Sequence, residues 1–160
     1  MEIRKATLAD LETIAAVEEE CFPPAEAASL ESIRKRLTVF PDYFWVLFDG
    51  DKMVGFVNGM ATDLPDLCDE MYDDANMHKA EGKWQMIFGV DTIPSHRNQG
   101  YAAKVLWKAI EDAKEQGRAG LVLTCKERLI HYYAKFGFVN EGVSESVHGN
   151  VMWYQMRLTF

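Results

Sequence analysis

The stretch Val90–Ala103, VDTIPSHRNQGYAA, constrains this chain more than any other. An apolar run from Met86 to Val90 leads into Pro94. Arg97-Asn98-Gln99-Gly100-Tyr101-Ala102 then stands directly before a long amphipathic segment. A strand therefore has to end near the proline, and a helix has to begin just after the glycine. The first amides of a helix have no partner within it and lie at the positive end of its dipole, so such an end attracts anions. Gly100 lets a bulky ligand approach the backbone with no Cβ in the way. The arrangement reads as a pyrophosphate seat. An ordinary strand–loop–helix turn is the plain alternative.

Two familiar phosphate motifs are excluded. No pair of glycines brackets four residues ahead of Lys and Ser or Thr, so this is not a P-loop. A dinucleotide fold requires G-x-G-x-x-G soon after the first strand, whereas here a single Gly falls late in the chain.

The remaining elements follow from periodicity and turn chemistry. Ile3–Ala6 reads as a first strand. Thr7 and Asp10 start a helix carrying Leu11, Ile14, Ala15 and Val17, and Pro23-Pro24 stops it. The run Glu18-Glu19-Glu20 reads as solvated helix surface. Ser29 caps a second helix with Leu30, Ile33 and Leu37 on one face, ended by Pro41. Phe44–Phe48 and Met53–Met60 read as strands paired through Asp49-Gly50. Residues 62–83 form a long acidic connection, either a solvated loop or a flap beside a site. Trp84–Asp91 is a strand. The helix after Gly100 aligns Ala102, Val105, Leu106, Ala109, Ile110 and Ala113 and ends at Gly117. Leu121–Cys125 is apolar and therefore central. A short helix spans Glu127–Lys135, and strands at Phe138–Glu141 and Val151–Thr159 close the sheet. The expected class is α/β (α+β): a mixed, mostly antiparallel twisted sheet of about seven strands with helices on both faces.

At 160 residues and 48% hydrophobic content the chain can bury one good core, so residues 1–160 are expected to form one domain. No apolar run is long enough to span a bilayer, and the N-terminus is too charged for a secretory signal. Three scattered cysteines, Cys21, Cys68 and Cys125, show neither metal-ligand nor disulfide spacing. A reducing cytoplasm is the simplest compartment for them. The net charge of −8 argues against a nucleic-acid partner and suits a cationic one such as an amine.

The order Arg97-x-x-Gly100-x-Ala102 resembles the Q/R-x-x-G-x-G/A signature of the GNAT superfamily, the acetyl-CoA-dependent N-acetyltransferases. The resemblance extends through Val17–Gly50 and Leu123–Gly142, the latter carrying Tyr133-x-x-x-Gly137-Phe138. It is closest to the arylalkylamine (serotonin) N-acetyltransferase-like group. It implies a GNAT fold and the transfer of an acetyl group from acetyl-CoA, with no metal, to a primary amine by direct attack. A small-molecule acceptor is expected. A strand-edge or β-bulge homodimer is compatible with such a fold.

Carried over by position, the resemblance assigns cofactor binding to Val90, Asp91, Thr92, Arg97, Asn98, Gln99, Gly100, Tyr101, Ala102 and Ala103. Val90 and Thr92 would offer backbone groups to the pantetheine arm, and the turn would hold the pyrophosphate. The Arg97 side chain would add positive charge to that seat, with an exposed surface Arg as the competing view. Tyr133 shares a helix face with Leu129 and Ile130, and on spacing alone reads as a core tyrosine. The resemblance instead makes it the acid that protonates the departing thiolate.

The general base departs from the pattern. The arylalkylamine enzymes carry two His on the strand before the turn, and many other members a Glu; here those positions are Met86 and Phe88. His78 and His148 lie in loops that could reach a site, although surface histidines are the plainer reading; His96 and His131 have no better case. Phe22, Pro23, Pro24, Phe40 and Tyr43 either line an acceptor pocket or pack the first helices. Glu26 and Glu31 either greet an ammonium or are exposed. The missing base leaves open a non-catalytic acyl-CoA-binding module, and the acidic loop leaves open a protein N-terminus or lysine as acceptor.

Overall fold

The fold begins where its local signals place it. In the computed structural model, which describes residues 1–160, strand β1 (Glu2–Lys5) runs into a capping box. The Thr7 amide donates to Asp10 Oδ2 at 2.8 Å, and Arg4 holds the same carboxylate through two contacts of 2.9 Å. Helix α1 (Leu11–Cys21) follows and stops before Pro23. Ser29 caps helix α2 (Leu30–Val39) by accepting the Ser32 amide at 3.1 Å. Strands β2 (Phe44–Asp49) and β3 (Lys52–Asn58) form a hairpin around Gly50.

The remaining elements are β4 (Ala61–Thr62), α3 (Glu70–Asp73), β5 (Trp84–Ile87), β6 (Gly89–Thr92), α4 (Tyr101–Glu115), β7 (Gly120–Cys125), α5 (Ile130–Ala134), β8 (Val139–Val143) and β9 (Tyr154–Thr159). Contacts divide the chain into two compact units, Met1–Gly59 with Gly89–Ala109, and Met60–Phe88 with Ile110–Phe160.

The first unit holds a four-stranded sheet in the order β1-β2-β3-β6, antiparallel throughout. Helix α1 packs across β3 and β6 and against α2. Ile14, Val17, Ile33, Leu37, Phe44, Trp45 and Phe56 are buried here. Phe40 is also buried and stacks on Phe44 with ring centroids 6.1 Å apart, so it belongs to the core. The second unit holds a five-stranded sheet in the order β4-β5-β7-β9-β8. Only β5 and β7 are parallel there. Helix α5 packs on β8 and β9, and Met86, Leu121, Val122, Leu123 and Met156 fill the core.

Four expectations need correction. The strand read as Trp84–Asp91 is two strands. Its first half pairs with β7 and, after Phe88, its second half pairs with β3, a division that apolar patterning does not reveal. The sheet is accordingly two sheets, though the mixed α/β class holds. Residues 62–83 are also more structured than a plain loop. Thr62 pairs with Trp84, Leu67, Met71 and Ala75 are buried, and Asp69 accepts the Ser146 hydroxyl and the Val147 amide. Finally, Glu18 is buried rather than solvated. It stands four residues after Ile14, on the stripe that α1 turns inward.

Candidate functional site

Strand β6 is the free edge of its sheet. The Ile93 amide donates to the Val54 carbonyl at 2.9 Å, which sets the alternation of the antiparallel pair. Gly89 and Asp91 turn their main-chain groups toward β3, and Val90 and Thr92 turn theirs to the open edge. Arg97 Nε donates to the Thr92 carbonyl at 2.8 Å, and its guanidinium also reaches the Cys21 carbonyl at 3.5 Å. The Arg97 side chain therefore ties the turn to β6 and α1. Along the edge this leaves the amide and carbonyl of Val90 and the amide of Thr92.

The turn beyond has the backbone its sequence asks for. Asn98 and Gly100 have φ of 62° and 82°, and a Cβ built on Gly100 would meet no atom within 4 Å. The first bond of the α4 ladder runs from the Lys104 amide to the Gly100 carbonyl. The amides of Gly100, Tyr101, Ala102 and Ala103 thus precede the ladder, at the positive end of a 15-residue helix. Gln99 Nε2 donates to the Ser95 carbonyl and leaves these amides clear. Several amides pointing one way from an exposed turn can hold an anion with several oxygens.

The other face of β6 carries a polar cluster that the sequence did not reveal. Asp91 is only 3% exposed, and neither of its oxygens has an amide, hydroxyl or cationic donor. The group facing it is the Glu18 carboxyl, whose Oε2 accepts the Ala28 amide at 2.9 Å. Arg36 is buried as well and donates to Asn58 Oδ1 at 3.1 Å. Burial first, then the charge and hydrogen bond of Glu18 and the nearness of Cys21, push Asp91 well above the usual carboxylate range, and Arg36 opposes them. The available signals were Glu18 on the Ile14 stripe and Arg36 between Ile33 and Leu37. Charged side chains favour solvent by default, so sequence alone gives neither an inward direction.

In the second unit Tyr133 is buried, its ring edge-on to Tyr132 at 5.1 Å and to Phe138 at 6.2 Å. Met86 is fully buried, and Phe88 rests on Tyr72 with centroids 4.8 Å apart. Neither residue can accept a proton. His148 stacks on Tyr72 at 5.3 Å, His96 joins Ser95 and Asp49, and His131 is exposed on α5. Glu31 pairs with Arg34 on the surface.

His78 is half-buried rather than on the surface, and its Nδ1 accepts the Ala61 amide at 3.1 Å. Burial lowers its pKa to about 4, with Arg118 adding to the effect. An imidazole kept neutral by burial and bonded to the Ala61 amide is part of the scaffold. Because its folded value lies below the ordinary 6.5, its contribution to stability is complete above that pH and is lost as pH falls toward 4. His78→Asn keeps an acceptor for the Ala61 amide. Melting temperatures measured at pH 7 and pH 5 should therefore fall less in the variant than in the parent protein. Equal falls would remove His78 as a source of acid sensitivity.

Fold and turn together define a class: mixed α/β proteins in which an edge strand runs through a positive-φ glycine turn into a helix, as in GNAT-type acyltransferases. The sequence profile of the acetyltransferase (GNAT) family matches residues 10–138, and the chain belongs to that family. Serotonin N-acetyltransferase of Mesocricetus auratus is 24% identical over 160 residues, covering 98% of this chain and 76% of that protein. Among solved structures, the loading GNATL domain of CurA from Lyngbya majuscula superposes with a TM-score of 0.85 at 17% identity, covering 99% of this chain and 96% of that one. The PaiA N-acetyltransferase from Thermoplasma acidophilum, solved in complex with coenzyme A, has a TM-score of 0.73 at 17% identity, covering 99% and 98%. No helix of the protein is long and apolar enough to cross a membrane.

Proposed function

We propose that this single-domain GNAT protein transfers the acetyl group of acetyl-CoA to the nitrogen of a small primary amine by direct attack. The observation that carries the reading is the turn at Gly100. Its positive-φ backbone and the four amides ahead of the α4 ladder suit the coenzyme A diphosphate. The outward groups of Val90 and the Thr92 amide suit the pantetheine arm, which would pair with β6 as an added strand. Arg97 serves this seat by fixing the turn to the Thr92 carbonyl rather than by reaching toward the phosphates.

The chemistry requires orientation of two substrates and movement of protons. Tyr133, by its place in the Tyr-x-x-x-Gly-Phe motif, protonates the thiolate as the C–S bond breaks. A phenol of ordinary pKa about 10 is suited to that donation. The net charge of −8 favours a cationic acceptor over an acidic one.

The test is thiol release from acetyl-CoA in the presence of arylalkylamines, polyamines, amino sugars and basic peptides. Turnover with a small amine is expected. Tight coenzyme A binding by calorimetry with no turnover for any amine would instead identify an acyl-CoA-binding module. Turnover confined to peptides, located by mass spectrometry, would move the acceptor to a protein N-terminus or lysine.

A further inference from the structure

We propose that His148, carried by the loop between β8 and β9, is the base that takes the proton of the incoming ammonium. The proposal rests on the amine-acetylation reading and deepens it. A base is the one group that the strand ahead of the glycine turn does not supply, since neither Met86 nor Phe88 can accept a proton.

The place of His148 in the fold carries the argument. Strands β5 and β7 are the parallel pair of their sheet, so their carboxyl ends lie at the same end of it. Ligands of parallel strands bind outside those ends. Phe88 follows the last residue of β5, and Lys126 follows the last residue of β7. Trp153 precedes the first residue of β9, which pairs with the end of β7. Residues 144–153 lie across this end. His148 stacks on Tyr72 with ring centroids 5.3 Å apart and planes 12° from parallel, and Tyr72 rests on Phe88 at 4.8 Å. Trp153 lies 6.2 Å from His148 and has the Lys126 ammonium 6.0 Å from its ring centroid. Phe88 is itself bonded to Gly89, the first residue of β6. The loop thus brings an imidazole to the ring cluster of Phe88, a position that lacks one. Tyr133 stands on the helix that follows β7, so the acid and the base both come from elements leaving this end of the sheet.

The loop is held from several sides. Asp69 accepts the Ser146 hydroxyl and the Val147 amide, which ties the loop to the start of α3. The His148 carbonyl accepts Trp153 Nε1 at 2.7 Å, and the Ser144 amide donates to the Trp153 carbonyl at 2.7 Å, closing the loop on itself. Gly149 and Asn150 follow with φ of 65° and 55°, a sharp turn directly after the histidine. Such contacts orient the ring before substrate arrives, which is what a proton acceptor requires. His148 is only partly buried, so the residue is accessible. Of the two nitrogens of an imidazole, one can donate to the protein while the other keeps its lone pair. The charged and titratable groups around the ring are Asp69, Glu70, Tyr72 and Asp73 from the α3 side, Glu145 from its own loop and Lys126 beyond Trp153. The carboxylates among them draw in a cationic amine.

The proton balance closes. One N–H bond of R–NH3⁺ breaks and its proton joins the unprotonated ring nitrogen of His148, leaving the electron pair on the amine. That amine nitrogen bonds the acetyl carbon, and the C–S bond breaks. The thiolate takes the Tyr133 proton, and a second nitrogen proton restores the phenol. The imidazolium then returns its proton to solvent, so each turnover releases one proton together with the amide and the thiol.

The experiment measures kcat/KM for the best amine against pH, with coenzyme A affinity by calorimetry and melting temperature alongside. His148→Gln keeps a polar side chain against Tyr72 but cannot take the proton. Its kcat/KM at pH 7 should fall by roughly 100-fold with coenzyme A affinity unchanged. The deficit should shrink as pH rises toward the amine's own pKa, where free amine needs no base. His148→Ala leaves room for a free imidazole, and added imidazole should restore part of the rate in proportion to its concentration. A loss of packing alone would give neither the convergence at high pH nor the rescue. A parent profile retained in His148→Gln, or a deficit in His148→Ala that imidazole leaves untouched, overturns the role of His148 while leaving amine acetylation intact. A parent protein that turns over no amine overturns the acetylation reading and this proposal with it.

Discussion

Gly100→Glu is expected to weaken coenzyme A binding by at least about 100-fold while the protein keeps its fold, because like-charge juxtaposition costs several kcal/mol and about 2.7 kcal/mol is a hundredfold. The space for a side chain is present, since nothing lies within 4 Å of a Cβ at this position. The backbone cost is that of one non-glycine residue at a φ of 82°, on the order of 1–2 kcal/mol. A carboxylate at the start of α4 recovers part of that through the helix dipole. The same carboxylate claims the amides of Gly100, Tyr101, Ala102 and Ala103 and repels a diphosphate. Calorimetric titration with coenzyme A and a melting curve on the same sample separate the two effects. Gly100→Ala is the control, carrying the backbone strain without the charge, and its loss of affinity should be far smaller. Undiminished affinity in Gly100→Glu would place the diphosphate elsewhere.

Tyr133→Phe is expected to lower kcat by roughly 100-fold, the lower range of what a positioned proton donor contributes. The ring keeps its edge contacts with Tyr132 and Phe138, so the melting temperature should stay close to that of the parent. The KM for acetyl-CoA should change little, because the role proposed for the hydroxyl is protonation of the leaving thiolate and not cofactor binding. Single-turnover measurements would locate the defect in the chemical step. A kcat equal to the parent's would return Tyr133 to its other reading, a core aromatic. The two variants fail in different quantities, affinity for one and turnover for the other, so neither result can stand in for the other.

The parts of the site that were legible in sequence are those made by neighbours in the chain. The positive φ at Gly100, the helix start after it and the buried inward face of Tyr133 each follow from a few consecutive residues. The caps at Thr7 and Ser29 are of the same kind. What the sequence could not show is how one apolar run serves two sheets. Trp84–Ile87 and Gly89–Thr92 look alike as strand formers, and only their partners, β7 and β3, tell them apart.

Charge placement divides along the same line. Glu18 sits in a run of three glutamates and Arg36 in a helix rich in basic residues, so each looks solvated when read alone. Packing of α1 on β3 and β6, and of α2 on α1, turns both inward toward Asp91. By itself, the sequence determined the class of fold, the glycine turn ahead of α4 and the absence of an imidazole or Glu at positions 86 and 88, because these depend on local backbone preference and residue identity. Only the tertiary structure decided that Asp91 is buried facing Glu18 and that Arg97 is spent on the Thr92 carbonyl. Those contacts join residues far apart in the chain, and burial, which gives them their chemistry, exists only once the elements have packed.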